Sequence, residues 1–133
     1  MYGLMSFYTA LARGGIPFSN FPVPHNRAPL PGRPLCSREV AAQMTSLLQG
    51  VGEMGPAARA LQRLPFKVAG KTAIIVDGNG HYERTYMVGY FPADNPKWLL
   101  LTYLDHTEPC TPALAGFFAH VAAAVMANVA ANQ

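Results

Sequence analysis

The stretch VAGKTAIIVDGNGHYERTYMVGYFPADNPKW, Val68 to Trp98, decides how this chain is read. A strand-like run from Phe66 to Val76 carries Lys71 and Thr72 side by side. Asp77-Gly78-Asn79-Gly80 follows, and Asp-Gly and Asn-Gly tolerate the positive φ of a tight hairpin. A second strand is predicted from His81 to Tyr90. Pro92 and Pro96 bracket a turn around Asp94-Asn95, and a third strand runs from Trp98 to Tyr103. The three form an antiparallel meander. A cation and a hydroxyl stand inside its first strand with no obvious acid, base or nucleophile beside them.

Helical signals lie on either side. Tyr2 to Arg13 reads as a helix with Phe7 and Leu11 at helical spacing, stopped by Gly14-Gly15. Ile16 to Arg33 holds Pro17, Pro22, Pro24, Pro29 and Pro31 and reads as an extended surface linker. Ser37 is the expected N-cap of a helix with Val40, Met44, Leu47, Leu48 and Val51 as its apolar stripe. Pro56 to Leu61 suits a short helix with proline in its first turn. Thr111 is expected to cap, and Pro112 to open, a terminal helix with Leu114, Phe117, Phe118, Val121, Val125 and Val129 inward. Ala113 to Ala131 is apolar enough to raise a transmembrane question. Its alanine content, His120, Asn128 and the lack of flanking Lys or Arg favour a packed helix. The expected class is therefore α+β, with the sheet packed against N-terminal helices and a C-terminal helix.

Composition agrees with a folded domain. Of 133 residues, 50% are hydrophobic and 13% charged, which supports a core and argues against disorder. The net charge is +3, but the ten Lys and Arg residues form no cluster, so a nucleic-acid partner is not expected. Cys36 and Cys110 lack Cys-x-x-Cys spacing and read as two lone thiols, a disulfide being the alternative in an oxidising compartment. His25, His81, His106 and His120 show no ligand spacing, and no metal or other cofactor is expected. Asp77-Gly-Asn-Gly lacks the acidic twelfth position of a calcium loop. Asp105-His106 has no accompanying serine signature, so it is not read as part of a triad. No signal peptide is read at Met1.

Neighbouring side chains on a strand face opposite ways, so Lys71 and Thr72 share a cleft only on a twisted or edge strand. There an ammonium, a hydroxyl and free backbone amides suit a carboxylate or a developing oxyanion. The alternative is a lysine snorkelling on an amphipathic strand.

The chain resembles the C-terminal part of the transpeptidase domain of class B penicillin-binding proteins. "VAGKTAI" at Val68 to Ile74 is similar to that family's Lys-Thr-Gly strand. "MVGYFPADNPKW" at Met87 to Trp98 is similar to its "GxxPADNP" strand end, and "LLLTYLD" at Leu99 to Asp105 to the apolar strand after it. "MTSLLQGVGEMGPAARAL" from Met44 to Leu61 and "YTALARGGIP" from Tyr8 to Pro17 match earlier segments in the same order. The resemblance spans nearly the whole chain and implies that residues 1–133 are a C-terminal domain portion. It implies a serine acyltransferase that cross-links peptidoglycan stem peptides in cell-wall synthesis and cell division and is acylated by β-lactams. It places the protein at the periplasmic face of the bacterial inner membrane, with the family's anchor upstream of Met1. By the same resemblance Lys71 and Thr72 hold the substrate carboxylate, and the oxyanion-hole amide falls near Ile74.

Two departures qualify these expectations. Ala73 stands where the family has glycine and Ile74 where it has threonine, which would crowd the cleft. A two-residue deletion that shifts the strand's register is the other way to align them. Neither Ser-x-x-Lys nor Ser-x-Asn occurs: Ser6, Ser19, Ser37 and Ser46 are followed three residues on by Thr9, Pro22, Val40 and Gln49. A serine without its base is a weak nucleophile, so no catalytic residue is expected in this chain. Stem peptide or β-lactam would bind only once the missing N-terminal part is supplied. The alternatives are a non-catalytic binding or structural module of the same fold, and an unrelated small α+β domain. An exposed sheet edge and apolar face lead us to expect self-association or a protein partner.

Overall fold

The computed structural model describes residues 1–131 apart from Val23, His106, Thr107 and Pro109. Helix α1 (Tyr2–Ala12) buries Tyr8, Ala10 and Leu11. It ends at two glycines with positive φ, Gly14 at 69° and Gly15 at 95°. A Cβ on Gly15 would lie 2.4 Å from the Cys36 carbonyl oxygen, so both the turn and the chain crossing require glycine there.

The proline-rich segment that follows is less open than expected. Phe18 bridges Pro31, and the Asn20 side chain accepts from the Leu30 amide at 3.0 Å and donates to the Ala28 carbonyl at 3.1 Å. The segment is thus a loop folded back on itself, closed by backbone bonds from the Ser19 amide to the Leu30 carbonyl and from the Gly32 amide to the Pro17 carbonyl, and by an asparagine that offers a donor and an acceptor together.

Ser37 caps helix α2 (Arg38–Gln49), its Oγ accepting from the Val40 amide at 3.3 Å. Its buried face differs from the expected stripe. Ala41 is buried, and Met44 and Leu48 are partly so, but Val40 and Leu47 are 45% and 74% exposed. The small Ala41 and the polar Thr45, both passed over by an apolar count, occupy the contact face instead. A 3-10 turn (Gly50–Gly52) and the short helix α3 (Ala58–Leu61) lead to the sheet.

Strands β1 (Ala69–Val76), β2 (Tyr82–Phe91) and β3 (Trp98–Asp105) pair antiparallel in the order β1-β2-β3. The first strand begins three residues later than predicted, because Pro92 has no amide to continue the ladder. Pairing resumes once, from the Ala93 amide to the Lys67 carbonyl at 2.9 Å. In the hairpin, Asp77 Oδ1 accepts from the Asn79 and His81 amides at 2.8 Å each, and Gly80 alone of its glycines has positive φ, at 82°. The register slips between Ile75 and Val76, where β2 contributes Glu83 as an extra residue.

Alternation along β2 gives the sheet two covered faces. Met87 and Phe91 join Leu114, Ala115, Phe118, Ala119 and Ala122 of helix α4 (Thr111–Ala131). Phe91 is the centre of that core, stacked on Phe66 at 5.5 Å and edge-to-face with Phe118 at 6.1 Å. Val88 and Tyr90 face the other way, against Tyr8 and Leu11 of α1 and Ala41 of α2. The architecture is the expected α+β arrangement, with helices on both sides of a three-strand meander. Thr111 lies inside α4 rather than ahead of it, and alanines form much of the helix's buried stripe, while Phe117 is 59% exposed. By length and composition α4 could cross a membrane, yet its N-terminal half packs along the sheet. Both cysteines are free.

Candidate functional site

Lys71 and Thr72 lie on β1, an edge of the sheet. Lys71 is paired with Val88 and so belongs to the α1/α2 side, whereas Thr72 is paired with Met87 on the α4 side. Despite that alternation, both border one recess of about 240 Å³ between β1 and the turn that follows α2. Gly70 completes the β1 wall, and Leu48, Val51 and Met54 stand opposite. An edge strand presents its outer backbone as well as one face, which is how neighbours in sequence come to share a hollow.

Lys71 is the only charged residue lining the recess among the described residues. Its Nζ donates to the Thr72 carbonyl at 2.8 Å. A lysine ammonium has three donors, so this contact leaves capacity for an incoming acceptor. Since amide directions alternate along a strand, the backbone groups of Ile74 leave on the same outer side as those of Thr72. Ammonium, hydroxyl and outward amides thus lie together on one edge, beside apolar walls. The charge and donor groups of this set suit an anion.

Ala73 and Ile74 are exposed and stand outside the recess lining. The methyl of Ala73 therefore does not narrow this hollow; any crowding falls on its outer lip. None of the four serines lines the recess: Ser6 is in α1, Ser19 in the proline-rich loop, Ser37 caps α2 and Ser46 is exposed on α2. Asp105 is engaged with Arg84, Nη2 to Oδ1 at 2.8 Å, and His106 lies outside the described residues.

Two features of the site were not read from residue types. Gly70 faces Gly89 across β1 and β2, and a Cβ on Gly70 would lie 2.4 Å from the Val88 carbonyl oxygen. A glycine directly before Lys-Thr inside a strand was the available signal. The other feature is the anchoring of α2 to the sheet beneath the recess. Thr45 Oγ1 donates to the Ala41 carbonyl at 2.9 Å and lies 2.7 Å from the Tyr90 hydroxyl. Because the threonine proton is committed to Ala41, Tyr90 is the donor to Thr45. Burial raises the Tyr90 pKa above its ordinary value, and the bond to Thr45 offsets part of that rise.

A larger hollow of about 810 Å³ lies elsewhere, between the turn after β2 and the end of α4, lined by Phe66, Lys67, Asp94, Lys97, Trp98 and Met126 among others. It shares none of the predicted site residues.

The family model described as the penicillin binding protein transpeptidase domain matches residues 3–131. No curated protein matches the sequence. Among solved structures, a peptidoglycan glycosyltransferase from Burkholderia ambifaria aligns with a TM-score of 0.75 and 22% identity, over 95% of this chain and 39% of that one. Penicillin-binding protein A from M. tuberculosis, determined as an imipenem acyl-enzyme complex, aligns at 0.70 and 19% identity, over 91% of this chain and 29% of its own. The transpeptidase domain of a D,D-transpeptidase from Legionella pneumophila aligns at 0.67 and 23% identity, over 92% and 45%. At these identities the likeness establishes the fold. This chain spans less than half the length of each of these structures.

Proposed function

The chain belongs to the penicillin-binding protein transpeptidase domain family, and from that premise we propose that it supplies the C-terminal part of a D,D-transpeptidase domain. Its contribution is one wall of a cleft for the carboxylate of a peptidoglycan stem peptide or β-lactam. Lys71 provides the charge, Thr72 a hydroxyl and Ile74 an outward amide. The observation that carries this reading is the recess bordered by both Lys71 and Thr72, with that lysine as its sole charged residue among the described residues. The nucleophile and its base belong to a part bearing Ser-x-x-Lys and Ser-x-Asn. The expected place of action is the periplasmic face of the inner membrane.

A second reading is favoured by the serine-free recess: a non-catalytic module that keeps the fold and the anion site. A fluorescent penicillin distinguishes the two. The chain is incubated with it alone, and again with a polypeptide carrying the two serine motifs, sought first in a frame adjoining its gene. Transpeptidase function predicts no label on this chain in either case. It predicts label on the partner when both are present, reduced about tenfold or more by Lys71→Ala, as loss of a charged hydrogen bond implies. Failure of every such partner to label favours the non-catalytic module. Covalent label on Ser6, Ser19, Ser37 or Ser46 overturns the assignment of the nucleophile to another part.

A further inference from the structure

We propose that two copies of this chain associate by pairing β1 with β1, antiparallel about a twofold axis through Ile74. The dimer goes beyond the ligand reading above and does not depend on it.

Strand β1 is an edge, and no other strand lies beyond it among the described residues. Its distal half is apolar and open: Ile74, Ile75 and Val76 are 48%, 39% and 51% exposed. Alternation directs these residues to both faces, so neither helical layer covers this end of the strand. An open apolar edge is a template for another strand. The extra residue of the bulge belongs to β2, so β1 itself stays regular through Val76.

Backbone direction and charge together select the partner and the register. The Lys71 ammonium reaches the Thr72 carbonyl at 2.8 Å, which marks that carbonyl as outward. Alternation makes Thr72, Ile74 and Val76 the outward set. A second β1 must therefore set these three against its own three. Between Gly70 and Gly78 the charged residues are Lys71 and Asp77. Centring on Ile74 opposes Lys71 of each copy to Asp77 of the other, Thr72 to Val76, and Ile74 to itself. Centring on Ala73 leaves Lys71 against Ile75, and centring on Ile75 leaves Asp77 against Ala73. The strand is thus self-complementary in one register, and a second copy is the occupant it fits.

The same edge borders the recess. Pairing moves the Lys71 ammonium from its own Thr72 carbonyl to the second copy's Asp77 and covers the Ile74 amide. Dimer formation and ligand binding at Lys71 are therefore mutually exclusive.

Disulfide trapping tests the register in the full chain, with Cys36→Ser and Cys110→Ser to remove the native thiols. Directly opposed Cα atoms in a hydrogen-bonded antiparallel pair lie about 5.5 Å apart, within reach of a disulfide. Ile74→Cys should give a covalent dimer on mild oxidation. Thr72→Cys and Val76→Cys should cross-link when mixed and not singly. In sedimentation velocity, Lys71→Asp should weaken the dimer by about tenfold, more so at low salt. A chain that stays monomeric at every concentration overturns the proposal. So does a dimer that cross-links through Leu47→Cys on the exposed face of α2 and not through Ile74→Cys.

Discussion

Gly70 and Gly89 are register partners across β1 and β2, and a side chain on either would crowd the opposite strand. A Cβ on Gly70 would meet the Val88 carbonyl oxygen at 2.4 Å, and one on Gly89 would meet Val68 Cγ1 at 3.0 Å and the Ala69 carbonyl oxygen at 3.1 Å. The pair brings β1 close to β2 next to Lys71. Gly70→Ala is expected to cost about 2–3 kcal/mol, because its obstacle is backbone. Gly89→Ala should cost about 1 kcal/mol, because a valine methyl can yield part of the space. Urea unfolding of both variants checks the order; equal, small losses would show that the strands separate without penalty.

The hydroxyl pair between α2 and the sheet gives an asymmetric expectation. Tyr90→Phe removes a donor and leaves Thr45 bonded to Ala41, at a cost of about 1 kcal/mol. Thr45→Val removes the acceptor and strands a buried phenol, at a cost of about 2 kcal/mol or more. The double variant should fall short of the sum, since both single changes break one bond. Additive losses in a double-mutant cycle would contradict the bond.

Asp77 sets an acid dependence. The His81 amide does most to hold its carboxyl below the ordinary value; desolvation opposes it, and the Asn79 amide and both side chains add to the lowering. A lowered folded pKa means that the stabilisation is complete above the unfolded pKa and lost as pH falls through the folded one. The hairpin's contribution should thus be full above about pH 5 and decline below about pH 4. Asp77→Asn keeps an acceptor oxygen without the charge and should flatten that decline. Thermal melts between about pH 6 and 3 supply the comparison, and an unchanged slope in the variant would remove Asp77 as its source.

The meander was legible because turn chemistry and strand patterning agree from Phe66 to Tyr103. Asp-Gly-Asn-Gly and the two prolines fix where the strands must end. The helical contact faces were less legible, since alanine and threonine do much of the packing. Ala41, Ala115, Ala119 and Ala122 are buried where larger neighbours such as Leu47 and Phe117 stay exposed. Lys71 and Thr72 were singled out by residue type and order. That they share one recess depends on edge placement and on the turn after α2, which no local pattern encodes. The closure of the proline-rich segment rests on Asn20 and on the backbone of Pro17 and Ser19 meeting residues from Ala28 to Gly32, beyond the range of a turn signal.

Titration of the isotope-labelled chain, held in complex with a polypeptide that carries Ser-x-x-Lys and Ser-x-Asn, with a short peptide ending in D-Ala-D-Ala, read by amide chemical shifts, tests the central claim most directly. The account predicts shifts confined to Gly70–Ile74 and to the facing turn from Leu47 to Ala57. It predicts that they disappear in Lys71→Ala and when the peptide's terminal carboxylate is amidated. Shifts centred on Trp98 and Lys97 in the larger hollow, or a response indifferent to the carboxylate, would contradict it.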